Sequence, residues 1–265
     1  MRPVKNFLLF LVLVLLGISA LQKLTGLIPE KPLDGFSIFR ENPTLKFFTW
    51  QRWFSSEFQT KTSDNLEDHV GFRSSLIRSI NQVNYSLFGI TNAPGWIAGR
   101  NGFLFEEDYI HEYNGNFFVG TAAIDKKMQR LKDVRDSLAA HHIPLVIVYE
   151  SGKASLYPDY IPRRFLTAGR TMSNADYLLA QADRLALPVL NIDRYFKQIR
   201  DTCRYLLFPR YGMHWSMYGT HLVADTLCRY IEKTCGKPMP VFPIHHMHHS
   251  ANSLWAENDI GELFN

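Results

Sequence analysis

Cysteine is scarce in this 265-residue chain: Cys203, Cys228 and Cys235 are all there is, and no Cys-x-x-Cys occurs. That spacing offers neither a metal-binding cysteine set nor a dithiol redox motif. Cys228 and Cys235 fall on one helix face two turns apart, too far to bridge within a regular helix. A bond from Cys203 to either of them, leaving one thiol over, stands against three buried free thiols. Clusters of one charge are also missing. The net charge is +4, with Lys and Arg spread along the chain, which argues against nucleic acid as a partner. Repeats and low-complexity tracts are absent, and 46% apolar with 20% charged residues excludes a disordered chain. The length allows a sizeable core in one large domain or two small ones.

What is present begins at the N-terminus. Arg2 and Lys5 precede "FLLFLVLVLLGISAL", fifteen uncharged residues from Phe7 to Leu21. A basic start followed by such a run reads as a secretory signal, short of the about 20 residues of a spanning helix. A cut after Ser19 has small Gly17 three residues back, whereas a cut after Ala20 has bulky Ile18 there. Apolar character then resumes through Ile28, so residues 1–28 fit a cleaved signal or an uncleaved anchor. Either keeps the N-terminus cytoplasmic and sends the body of the protein across the membrane.

Residues 29–46, opening with "PEKPLDG", read as a linker, and residues 47–265 as one domain. Its first part, 47–118, holds an aromatic stretch, "FFTWQRWFSSEF". A helix follows with Phe72, Leu76, Ile80, Val83 and Leu87 on one packed face, then a hairpin in "GWIAGRNGFLFEE" turning at Asn101-Gly102. The second part, 119–265, alternates. A helix places Ile124, Met128, Leu131, Val134 and Leu138 on one face, and "IPLVIVYE" is a buried parallel strand from about Pro144. A helix capped by Ser173 or Asn174, a strand "PVLNID", a candidate third strand "YLLFP" and a long helix closed by Gly236 complete the order. That order predicts an α/β three-layer sandwich with a mainly parallel sheet.

In such folds ligands gather at the carboxyl ends of the strands. Three candidate positions end that way: Glu150-Ser151-Gly152-Lys153, Asp193, and His214 within "GMHWSMYG". A general base needs a hydroxyl to deprotonate and a carboxylate to fix its tautomer, and this set supplies all three types. Ser216 can cap the following helix, Gly219 permits close approach, and Trp215 can wedge the junction. The alternative is that these are packing residues and His214 simply occupies a turn. Lys153 is a candidate for binding an anionic sugar or acetyl donor, against a solvated lysine. "HHMHHS", His245 to Ser250, invites a metal reading, but adjacent imidazoles in extended chain point to opposite sides and no Asp, Glu or Cys completes a set.

"GMHWSMYG" resembles the D-x-H-W block of the alginate O-acetyltransferase family of AlgX/AlgJ type, also called DHHW proteins. "DHVGFRSSLIRSINQ", "GRNGFLFEEDYI" and "VIVYESGKASLYPDYIP" resemble other stretches of that family, in the same order. The resemblance implies an SGNH-hydrolase-like fold, incomplete in this chain, and a periplasmic protein held at the inner membrane by residues 7–21. It implies acetyl transfer to exopolysaccharide hydroxyls, with a polysaccharide or an acetyl-donor protein of the envelope as partner and no cofactor. Two departures stand out. The family's aspartate falls on Gly212, so His214 needs Asp193 or Glu150 as substitute orienter. "ENDIGELFN" corresponds to a segment that precedes the family's serine strand, which leaves Ser151 as the nucleophile candidate. A truncated or inactive acetyltransferase homologue is one expectation. A non-catalytic carbohydrate-binding or scaffolding subunit of a modification and export complex is the other.

Overall fold

The computed structural model describes residues 2–33, 47–150, 152–167, 169–244, 257–259 and 261. Ser151 and the histidines of His245–His249 lie outside them. The described chain divides into two compact units, one ending at Phe88 and one running from Gly89 to Gly261. This division falls inside the stretch 47–118 that the sequence groups as a single part.

The first unit opens with α1 (Arg2–Thr25). It runs beyond the uncharged stretch at both ends, and at about 1.5 Å per residue it is about 36 Å long. Residues 3–25 are long and apolar enough to cross a bilayer, a property that a signal sequence shares. Next come α2 (Trp50–Phe54), α3 (Glu57–Asp68) and α4 (Arg73–Val83). The sequence placed Phe72, Leu76, Ile80, Val83 and Leu87 on the packed face of one helix. Instead the chain breaks between α3 and α4, where Phe72 adopts φ +62°. Leu76, Ile80, Val83 and Leu87 are exposed, so the helical spacing is real and the burial is not.

The second unit begins with the hairpin. β1 (Trp96–Ala98) pairs antiparallel with β2 (Leu104–Glu106), Ile97 opposite Phe105. Asn101 and Gly102 turn it with φ +54° and +76°, the left-handed conformation that these residue types tolerate. After α5 (Glu107–Asn114) and α6 (Thr121–Ala140), β3 (Ile147–Tyr149) pairs parallel with β4 (Val189–Asn191). Between these strands lie α7 (Lys153–Leu156) and α8 (Asn174–Arg184). Of the two cap candidates, Ser173 caps α8, in a reciprocal box with Asp176. The chain continues through α9 (Ile192–Ile199) to α10 (Met217–Cys235), which ends on Gly236 at φ +66°.

Regular sheet is smaller than the sequence implied. The parallel strand starts at Ile147, not Pro144, and Val148 is exposed. "YLLFP" forms no strand, although Leu207 and Phe208 are buried. Its backbone groups are satisfied elsewhere: the Leu207 N–H donates to Tyr157 Oη, and Leu207 O accepts from the Ser216 N–H. Among the described residues the sheets are two two-stranded ladders, so a third layer packed on a wide parallel sheet is not what holds the unit together.

Two apolar clusters do that. Phe103, Phe105, Leu156, Ile192, Phe196 and Leu207 lie at the heart of the larger one, each contributing about 1.5–3 kcal/mol by leaving water. Ile124 and Met128 of α6 meet Ala182 and Leu187 in the smaller. Gly219 joins α10 to the larger cluster. A Cβ there would lie 2.5 Å from the Leu207 carbonyl oxygen, so only glycine allows this approach. Gly219→Ala should therefore lower stability by about 1–3 kcal/mol in urea unfolding, with little change in far-UV circular dichroism.

Candidate active site

His214 stands one residue before Trp215, whose ring meets Phe196 edge-on at 5.8 Å. Ser216 donates its hydroxyl to Leu206 O and accepts the Gly219 N–H at 3.0 Å, capping α10. Trp215 and Ser216 thus fix the backbone on the helix side of His214. The imidazole itself points outward, with 54% of its side chain exposed. It lines an open cavity of about 480 Å³ together with Tyr109, Glu150, Lys153, Phe208 and Trp215. Glu150, Gly152 and Lys153 follow directly on β3, so the cavity lies beyond that strand's carboxyl end.

Lys153 is not solvated. It is 3% exposed, and its ammonium donates to Arg210 O at 2.9 Å and Gly212 O at 2.7 Å. Burial drives its pKa down to about 7, against the opposing pull of Asp259. The same ammonium sits 5.4 Å and 5.5 Å from the ring centroids of Phe103 and Phe105. Lys153 therefore ties α7 to the backbone of the turn that carries His214. Tyr109 reaches the cavity from α5; burial first, then the charges of Glu106 and Glu150, raises its phenol pKa. It is a neutral hydroxyl in the physiological range.

The carboxylate that meets His214 comes from none of the positions the sequence offered. Asp259 Oδ2 lies 2.6 Å from His214 Nδ1, and its other oxygen accepts the Met213 N–H at 2.9 Å. Asp193 is engaged with Ser155 at 2.9 Å and with Lys197 at 2.7 Å. Glu150 shares the cavity with His214. The sequence contained Asp259 in "ENDIGELFN", but its partner lies 45 residues away and no local pattern links the two.

Residues 97–244 match the model of the family described as "SGNH hydrolase-like domain, acetyltransferase AlgX", more than half of the 265 residues. The chain belongs to the AlgX acetyltransferase family. Its fold is accordingly SGNH-hydrolase-like, and the D-x-H-W resemblance of "GMHWSMYG" falls within the matched region. "Probable alginate O-acetylase AlgJ" of Pseudomonas aeruginosa is 28% identical over 153 residues, 57% of this chain and 37% of that protein. The protein of the same name from Azotobacter vinelandii is 28% identical over 167 residues, 61% of this chain and 38% of its own. The chain thus spans under two fifths of the length of these curated relatives. The solved O-acetyltransferase domain of Pseudomonas putida AlgJ aligns with a TM-score of 0.38 and 23% identity, over 53% of this chain and 48% of that one.

The buried lysine gives a pH-dependent signature. Its folded pKa of about 7 lies below the unfolded value near 10.4, so between these the unfolded chain binds more protons. Stability therefore rises with pH between about 7 and the unfolded pKa, and below 7, where both states hold the proton, this group adds no further pH dependence. Thermal unfolding between pH 7 and pH 9 should show that rise in the parent and lose it in Lys153→Met.

Proposed function

We propose that this chain serves O-acetylation of a cell-envelope or exopolysaccharide outside the cytoplasm, with His214 as general base. One observation carries the reading: an imidazole at the lip of a cavity beyond a strand's carboxyl end, within an AlgX-family match. In this role His214 Nε2 removes the proton from an attacking hydroxyl, making its oxygen nucleophilic toward an acetyl carbonyl. The acetyl carbon's bond to the donor's leaving atom breaks as the new ester bond to the sugar oxygen forms, and the His214 imidazolium returns the proton to that leaving group. Tyr109, Phe208 and Trp215 give the cavity aromatic walls suited to the flat apolar faces of a sugar ring. The names of the curated relatives support alginate-type polymers as the substrate class. The length and apolar character of α1 support tethering to the inner membrane on the periplasmic side.

A second reading has its own observation. Gly212 occupies the aspartate position of the D-x-H block and carries no side chain. A non-catalytic subunit that binds or scaffolds the polysaccharide would tolerate that change.

The two separate in one experiment. The purified chain is incubated with a chromogenic acetyl ester, in parent and His214→Ala forms, and alginate binding is measured beside it. Catalysis requires parent turnover that falls about 10²–10⁴-fold in the variant. Equal turnover in both overturns the assignment of His214. Alginate binding without turnover in either favours the scaffold.

A further inference from the structure

We propose that Asp259 is the positioning residue for His214, supplying from the far end of the described chain the carboxylate that Gly212 cannot. The proposal rests on His214 acting as a base and adds how that base is oriented.

The geometry is two-pronged. An ionised carboxylate only accepts hydrogen bonds, so the 2.6 Å contact places a proton on His214 Nδ1. The unprotonated Nε2 is then the nitrogen left to act as base. Asp259 is 15% exposed against 54% for the imidazole, so the carboxylate sits behind the ring. Its second oxygen accepts the Met213 N–H at 2.9 Å, which stops the carboxylate from rotating.

The segment carrying Asp259 is itself fastened to the same stretch. Glu257 Oε1 accepts the Met217 N–H at 3.2 Å, at the first turn of α10. The Gly261 N–H donates to Tyr211 O at 3.0 Å. Three alternate residues, 257, 259 and 261, thus bond to positions 217, 213–214 and 211 in reversed order. Asp259 is the middle fastening, set where the imidazole is.

The test reads the tautomer and needs no substrate. The full chain is labelled with ¹⁵N-histidine, and the His214 ring signals are assigned by comparison with His214→Gln. The parent should show protonated Nδ1 and unprotonated Nε2 when the ring is neutral. In Asp259→Asn the Met213 N–H retains the amide oxygen, which turns the amide nitrogen toward the ring. Two donors cannot share a hydrogen bond, so the proton should move to Nε2. Asp259→Ala provides a second variant without the amide and should also lose the Nδ1–H form. A parent with its proton on Nε2, or Nδ1 still protonated in both variants, overturns the proposal. If the parent turns over acetyl ester, Asp259→Asn should lower kcat about 10²-fold or more with little change in KM. A parent with the expected tautomer but no turnover defeats the catalytic reading and leaves the positioning role standing.

Discussion

The carbonyl of Gly212 points into the protein with no strand beside it, and the ammonium of Lys153 answers it. The site depends on that contact. The stretch from Leu206 to Ser216 is irregular yet partly buried, so its backbone groups need partners that a sheet would otherwise provide. Tyr157 supplies one, Ser216 another, Leu104 a third, and Lys153 spans two carbonyls at once. Desolvating an ammonium is unfavourable, as its lowered pKa records. The cost is offset by holding a turn in place that has no repeating structure to hold itself.

From that fixed turn the rest follows outward. Ser216 and Gly219 set α10 against Leu207, Trp215 locks against Phe196, and the imidazole is left on the open side. Rigid backbone lies beneath an exposed ring that one carboxylate holds, as the proposed general base requires. Such a base needs a defined origin and access to solvent-borne substrate. The polar cavity wall comes from a different place, the loop after β3, so two distant stretches of chain meet across the opening.

Local chemistry was legible in the sequence wherever it was decided by neighbours. Asn101-Gly102 announced its turn, Ser173 and Ser216 their caps, Gly236 its helix end, and Gly219 its close approach. His214 was singled out by the same kind of context. Positions decided by distant contacts were not legible. Leu207 and Phe208 look like strand because they are apolar, but a phenol and a serine satisfy their surroundings without a ladder. Lys153 looks like a surface lysine until two carbonyls 57 and 59 residues away are brought to it. The apolar spacing of α4 predicted a helix correctly and burial wrongly, because periodicity specifies a face and not what covers it.

The turn bearing Asp259 differs in kind from the turn bearing His214. None of its described residues is fully buried, and its attachment is made of polar bonds near solvent, each contributing about 0.5–1.5 kcal/mol net. Contacts of that sort open by local fluctuation far more readily than the aromatic cluster behind them. The imidazole's orientation is thus governed by a latch with its own equilibrium, separable from global unfolding.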